Sequence, residues 1–343
     1  MLNFDIIANN MMKLSFLLRS IDFNRQIFTP NLDGTPGIIE FPGIGKLQPV
    51  PLGSWSGVPE VFSNPMSYPH FTIHMTNIFC ELVVDEEHWV EYWGEEFLLK
   101  SDESRINNIM VAVKGLLVLL RLRGFSQFIV PMFLEGTTMQ ELNQQPKGSI
   151  HLHILDQEHI PNPLDQPIKA KQIMTESDLN WIRKNLIAIF DLLWMEDFTQ
   201  VLDIYSLLYT PTNPRYTISG IWSAIESLTK AKQNRKNKTG IRHSLRCRCA
   251  MLLGVSSEQK WRYYEDIGGL YDLRSSAVHG KPVFEGKTIG NENDVQTMLG
   301  LNSSLKILNS LIVKVIEKRE LFKEDELVDL QASFESEFRD NFK

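Results

Sequence analysis

Ile267, Leu270, Tyr271, Arg274 and Val278 recur at spacings of three and four, so a helix carries all five on one face. Arg274 therefore interrupts an apolar stripe. A guanidinium keeps its proton in a protein, and at such a position it needs a carboxylate, a phosphate or an aqueous cleft. Five residues on stands His279, followed by Gly280 and then Pro282. Glycine and proline there are stop signals, which puts the imidazole at or past the last turn. On an unbroken helix a five-residue step turns about 140° and separates the two side chains; unwinding at Gly280 brings them back together. A fixed cation and a group titrating near pH 6.5, roughly, would then face one cleft. That pairing suits phosphodiester cleavage in RNA. The 2′-hydroxyl has to lose its proton or the leaving oxygen gain one, and the charge that develops calls for a bidentate cation. The chemistry requires no metal, and neither a metal nor a cofactor is expected.

The residues around the pair widen the pattern. Ile267-Gly-Gly-Leu-Tyr-Asp-Leu-Arg-Ser-Ser-Ala-Val-His-Gly280 follows Ile221-Trp-Ser-Ala-Ile-Glu-Ser-Leu228, with Cys249-Ala-Met-Leu-Leu-Gly254 between them. Over about residues 215–318 the chain resembles the HEPN superfamily, in particular its Apea-like branch. The resemblance implies an all-helical fold and a homodimer whose composite site pairs two Arg and His sets. It also implies metal-independent endoribonuclease activity of the kind found in toxins and antiviral-defence effectors. Carried over residue by residue, the catalytic matches are Arg274 and His279, with Glu226 as a supporting acid. Tyr271, Asp272 and Ser275 are supporting positions in the same motif. Where many active members have Asn, Asp or His directly after the arginine, this chain has Ser275, which fits the Apea-like branch. Lys281 replaces the tyrosine of the nucleotidyltransferase-controlled toxins, so regulation through that residue is not expected.

Between these motifs, residues 230–248 hold eight Lys or Arg and no acid. Lys232, Arg235, Lys236, Lys238, Arg242, Arg246 and Arg248 would form a phosphate track, with Arg242 and Arg246 as a ridge along one helix. No aromatic residue interrupts the run, so binding would be driven by the RNA backbone, tRNA being one candidate. A solvated loop is the plain alternative for the run, and a structural salt bridge to Glu226 is the plain alternative for Arg274. His151 and His153 share one face of a candidate strand, but no carboxylate or cysteine completes a metal spacing. Cys247 and Cys249 point apart on a helix, which leaves one of them for the core and no redox or metal role for either.

The elements that must hold these residues fall into two halves. Tyr209-Thr-Pro-Thr-Asn-Pro-Arg215 breaks the helical pattern and sets the expected boundary, with residues 1–210 as an α+β domain and 215–343 as a helical one. In the first, Gly37–Phe41, Phe128–Leu134 and Ser149–Leu155 read as strands. Ile106, Ile109, Val113, Leu116 and Leu120 give one helix stripe. Thr175 and Asp178 form a helix start, ahead of Leu179, Ile182, Leu186, Ile189 and Leu193. In the second half, stripes begin at Ile218 and Ile241, the latter closed by Gly254. A third helix opens at Ser256 and a fifth covers Glu324 to Phe338. The fourth carries Met298, Leu301, Leu305, Leu308, Ile312 and Val315, whose spacing suits either a bundle core or a dimer seam. The expected fold is thus an α+β domain followed by a four- or five-helix bundle.

Composition sets the outer bounds. With 43% hydrophobic and 22% charged residues over 343 positions, disordered and fibrous classes are excluded. Three cysteines make no disulfide framework and point to a reducing, cytoplasmic setting. Before Arg215 there are 14 basic and 25 acidic residues, and from Arg215 on 21 and 17, so the acidic half precedes a basic one. The first twenty residues lack a signal-peptide core, and Ile106–Leu120, interrupted by Lys114, is too short to span a membrane. Phosphate loops, nucleophile elbows and kinase motifs are absent. The leading expectation is an RNA-cleaving effector whose first domain senses a protein or ligand trigger. The alternative is a non-catalytic HEPN-like module that dimerises and binds RNA or protein.

Overall fold

Apolar residues at every second position make a strand one-faced, and Leu14, Phe16 and Leu18 do this in a segment that lies at the middle of a sheet. The computed structural model describes residues 13–19, 37–50, 78–85, 89–90, 93–94, 102–125, 129–136, 138–142, 151–154, 174–208, 214–230, 240–278 and 292–342. Strands β1 (Lys13–Arg19), β2 (Ile39–Phe41), β3 (Gly45–Pro49), β4 (Ile78–Asp85), β5 (Ile129–Glu135) and β6 (His151–Ile154) form one antiparallel sheet in the order β2-β3-β4-β1-β5-β6. Phe16 pairs with Leu82 on one side and Phe133 on the other, the two phenyl rings 5.1 Å apart. Gly45 has φ +155°, and a Cβ there would stand 2.1 Å from the Val83 carbonyl oxygen, so only glycine lets β3 begin against β4.

The opposite face of β1 and β4 holds a polar knot. Glu81 is fully buried and accepts hydrogen bonds from Ser15 Oγ at 2.5 Å, Gln48 Nε2 at 2.8 Å and the Met139 amide at 2.8 Å. The last of these caps a short helix, α2 (Met139–Leu142), whose start is also closed by a capping box between Thr138 and Glu141. Glu81→Ala strands these donors and is expected to cost about 3 kcal/mol in denaturant unfolding; a loss below about 1 kcal/mol would mean that the knot relaxes.

Helix α1 (Asp102–Leu122) buries Ile109, Val113, Leu116 and Leu120, four of the five positions in its expected stripe. Helix α3 (Glu176–Leu193) starts where Thr175 and Asp178 predict it, with the Asp178 amide bonded to Thr175 Oγ1 at 3.2 Å.

The helical part comprises α4 (Glu196–Leu207), α5 (Pro214–Leu228), α6 (Ile241–Leu253), α7 (Ser257–Val278), α8 (Glu292–Glu317) and α9 (Glu324–Glu337). Trp222, Ile218, Ile221 and Ile225 bury the α5 stripe. In α8 Leu301, Leu305, Leu308, Ile312 and Val315 are buried within the chain, so they serve its own core. Leu299–Glu317 is long and apolar enough to cross a membrane, and half of it is buried here. Gly254 ends α6 in extended rather than left-handed geometry (φ −82°, ψ 135°). A Cβ there would lie 2.6–2.8 Å from Lys260, so close approach is the reason for the glycine.

The chain divides into two compact units, and the division falls inside α3, between Leu186 and Ile187, ahead of the proline segment expected to mark it. Helix α4 packs on α5, which carries residues 196–207 into the helical unit. The architecture is α+β followed by helical.

Candidate functional site

Near its C-terminal end α5 presents Glu226, one turn past the buried Trp222. Helix α7 brings Tyr271 and Arg274, three residues apart and hence on one face, against it. Tyr271 donates its hydroxyl to Glu226 Oε1 at 3.0 Å, and an Arg274 terminal nitrogen lies 3.2 Å from the same oxygen. The guanidinium carbon is 5.4 Å from the Tyr271 ring centre, and that ring meets Trp222 edge-on at 5.5 Å. Burial, reinforced by Glu226, pushes the Tyr271 phenol up, so it remains a hydrogen-bond donor at neutral pH. Arg274 and Glu226 keep 24% and 28% of their side-chain surface, which leaves the pair within reach of a ligand. Glu226 also borders a cleft of about 590 Å³, with Ser223, Lys230, Ser244 and Arg248 among its walls.

Ser275 is half-buried beside Arg274, and α7 ends at Val278. His279, the next residue, lies outside the described residues, as do Lys232, Arg235, Lys236 and Lys238. Asp272 does not join Glu226; it is exposed and binds Arg242 at 2.7 Å.

Of the expected ridge on α6, Arg242 is exposed and Arg246 half-buried, and both are bonded within the chain. Arg242 also donates to the Gly268 carbonyl at 2.8 Å. Arg246 donates its Nε to the Tyr264 carbonyl at 2.8 Å and lies 3.7 Å above the Tyr264 ring. Two glycines mid-helix cost α7 about 1 kcal/mol each in propensity; Gly268 has a packing reason, because a Cβ there would stand 2.7 Å from the Arg246 guanidinium carbon. Arg248 is 5% exposed and donates to the Thr229 carbonyl and to Gln331 Oε1, at 2.9 and 3.0 Å. Its expected place on a phosphate track is corrected: α6 lies against both α7 and α9, so residue 248, two positions past 246, faces the interior.

The cysteines also differ from expectation. Both Cys247 and Cys249 are fully buried, and burial pushes each thiol up to about 12. Cys247 has close polar neighbours: its Sγ is 3.5 Å from His243 Nε2, which is 3.2 Å from Glu335 Oε1 on α9. The His243-x-x-x-Cys247 spacing puts both side chains on one helix face and is legible in the sequence; Glu335, 92 residues from His243, is not.

No family model, curated protein or solved structure matches this chain.

Proposed function

We propose that the helical unit is a HEPN-type, metal-independent endoribonuclease, acting as a cytoplasmic homodimer in a toxin or antiviral-defence role. The observation that carries this reading is the convergence of Tyr271 and Arg274 on Glu226 beside an open cleft, one turn before the end of α7. Glu226 and Tyr271 position the guanidinium. Arg274 stabilises the charge on the phosphoryl oxygens as the 2′-hydroxyl attacks phosphorus. His279 moves the proton, as base toward the hydroxyl or as acid toward the departing 5′-oxygen, and the products are a 2′,3′-cyclic phosphate and a 5′-hydroxyl. Two copies complete the pocket, and the sheet unit receives the protein or ligand signal.

Purified protein incubated with total RNA and with tRNA in EDTA should yield cyclic-phosphate ends, and His279→Ala should remove that cleavage. Cutting that depends on added metal, or equal cutting by the variant, overturns the mechanism. The second reading, a non-catalytic dimerising module that binds RNA or protein, draws support from the internal bonds of Arg242, Arg246, Arg248 and Arg274. Salt-sensitive RNA binding without cleavage would select it.

A further inference from the structure

We propose that His243, Cys247 and Glu335 form a zinc site that clips α6 to α9. All three ligand atoms lie within 4.8 Å of one another. A tetrahedral zinc ion with bonds of about 2.0 Å to nitrogen and oxygen and about 2.3 Å to sulfur requires N···O of about 3.3 Å and N···S of about 3.5 Å. The Nε2···Oε1 and Nε2···Sγ separations are 3.2 and 3.5 Å, so two edges of the tetrahedron are already set. The third, between Sγ and the carboxylate, is no longer than 4.8 Å and has to shorten to about 3.5 Å as the ion binds.

The surroundings do what a zinc site needs. His243 Nδ1 is 2.9 Å from the Tyr264 hydroxyl; a proton on Nδ1 pointed there leaves the Nε2 lone pair for the metal. Gln331 Nε2 donates to Glu335 Oε1 at 2.9 Å and fixes the carboxylate. Tyr264, Phe334 and Phe338 pack around Cys247, while His243 and Glu335 stay 26% and 34% exposed. The inner side is therefore dry, and the outer side gives the ion an entry path and a fourth position for water. A mixed nitrogen, sulfur and oxygen donor set suits zinc better than calcium or magnesium, which favour oxygen alone. On binding, the thiol proton passes to solvent and the thiolate takes its place on the metal.

This site is independent of the nuclease reading. Without metal, His243 remains tied to Tyr264 and Glu335 by hydrogen bonds, so chelation removes the ion without dismantling the unit. The test is Co²⁺ titration of the metal-free full chain, followed by displacement with Zn²⁺. One equivalent should produce a thiolate-to-cobalt charge-transfer band with tetrahedral visible bands, and Zn²⁺ should abolish both. Cys247→Ser should lose the charge-transfer band. Glu335→Ala, at a partly exposed position, should weaken Co²⁺ binding at least about tenfold with circular dichroism unchanged, and Tyr264→Phe by about tenfold. Zn²⁺ should raise the melting temperature of the parent and not that of Glu335→Ala. Absence of the band at one equivalent, or a band unaltered by both Glu335→Ala and His243→Ala, overturns the proposal.

Discussion

Arg274→Ala is expected to slow RNA cleavage by about 10²–10³-fold while lowering folding stability by less than about 1 kcal/mol. The two magnitudes separate the catalytic role from the structural one. A partly exposed ion pair between Arg274 and Glu226 contributes little to stability, because water screens it and two long side chains must be held in one geometry. A cation aimed at a developing phosphorane charge acts only at the moment of reaction, and its removal raises the barrier by about 2.7–4 kcal/mol. Glu226, still bonded to Tyr271, is not stranded when the arginine goes. Arg274→Lys keeps the charge but not the fork and should recover only part of the rate. Glu226→Gln removes the counter-charge and keeps the Tyr271 acceptor, so it should alter KM and kcat less than Arg274→Ala does. Single-turnover cleavage beside chemical denaturation reads both quantities. A rate loss no larger than the loss of folded protein would reduce Arg274 to a structural tie and end the nuclease reading.

The helical half was the more legible part of the sequence, because a helix carries its own evidence: a period of three and four, a polar start and a break. Thus α5, α6, α7 and α9 lie where their stripes and caps put them, and the Glu226–Arg274 pair was open to view because Arg274 interrupts one such stripe and Glu226 borders another. What stayed hidden depends on partners far along the chain. The segment Lys13–Arg19 declares itself a central strand only through β4 and β5, which lie far along the chain. Glu81 looks like any strand carboxylate until Ser15, Gln48 and Met139 surround it. Arg248 read as one more cation in a basic run, since nothing local says that α9 covers it. The grouping of helices follows the same rule: proline breaks a helix wherever it falls, but only packing decides which side of the break a helix such as α4 joins.

Asp178→Ala should strongly destabilise the sheet unit, by about 3–5 kcal/mol. Its carboxylate has no solvent exposure and does two jobs at once. One oxygen, Oδ1, takes Nε and a terminal nitrogen of Arg123 at 2.9 and 2.7 Å; the other, Oδ2, takes the Thr175 amide and hydroxyl at 3.1 and 2.7 Å. Removal therefore opens the start of α3 and deprives a guanidinium packed 5.3 Å from the Trp181 ring of its counter-charge. Arg123 is 30% exposed and can recover some hydration, which places the expected cost toward the lower end of that range. For a unit of this size, about 3 kcal/mol corresponds to a fall of roughly 6–12 °C in Tm. Asp178→Asn keeps an acceptor for Thr175 and gives up the charge, so it should fall between parent and alanine. Arg123→Ala alone leaves a buried carboxylate with its Thr175 bonds but without this cation, and the double variant should lose clearly less than the two single changes together. Strict additivity would mean that the two side chains are neighbours without coupling, and that Thr175 alone holds the helix start.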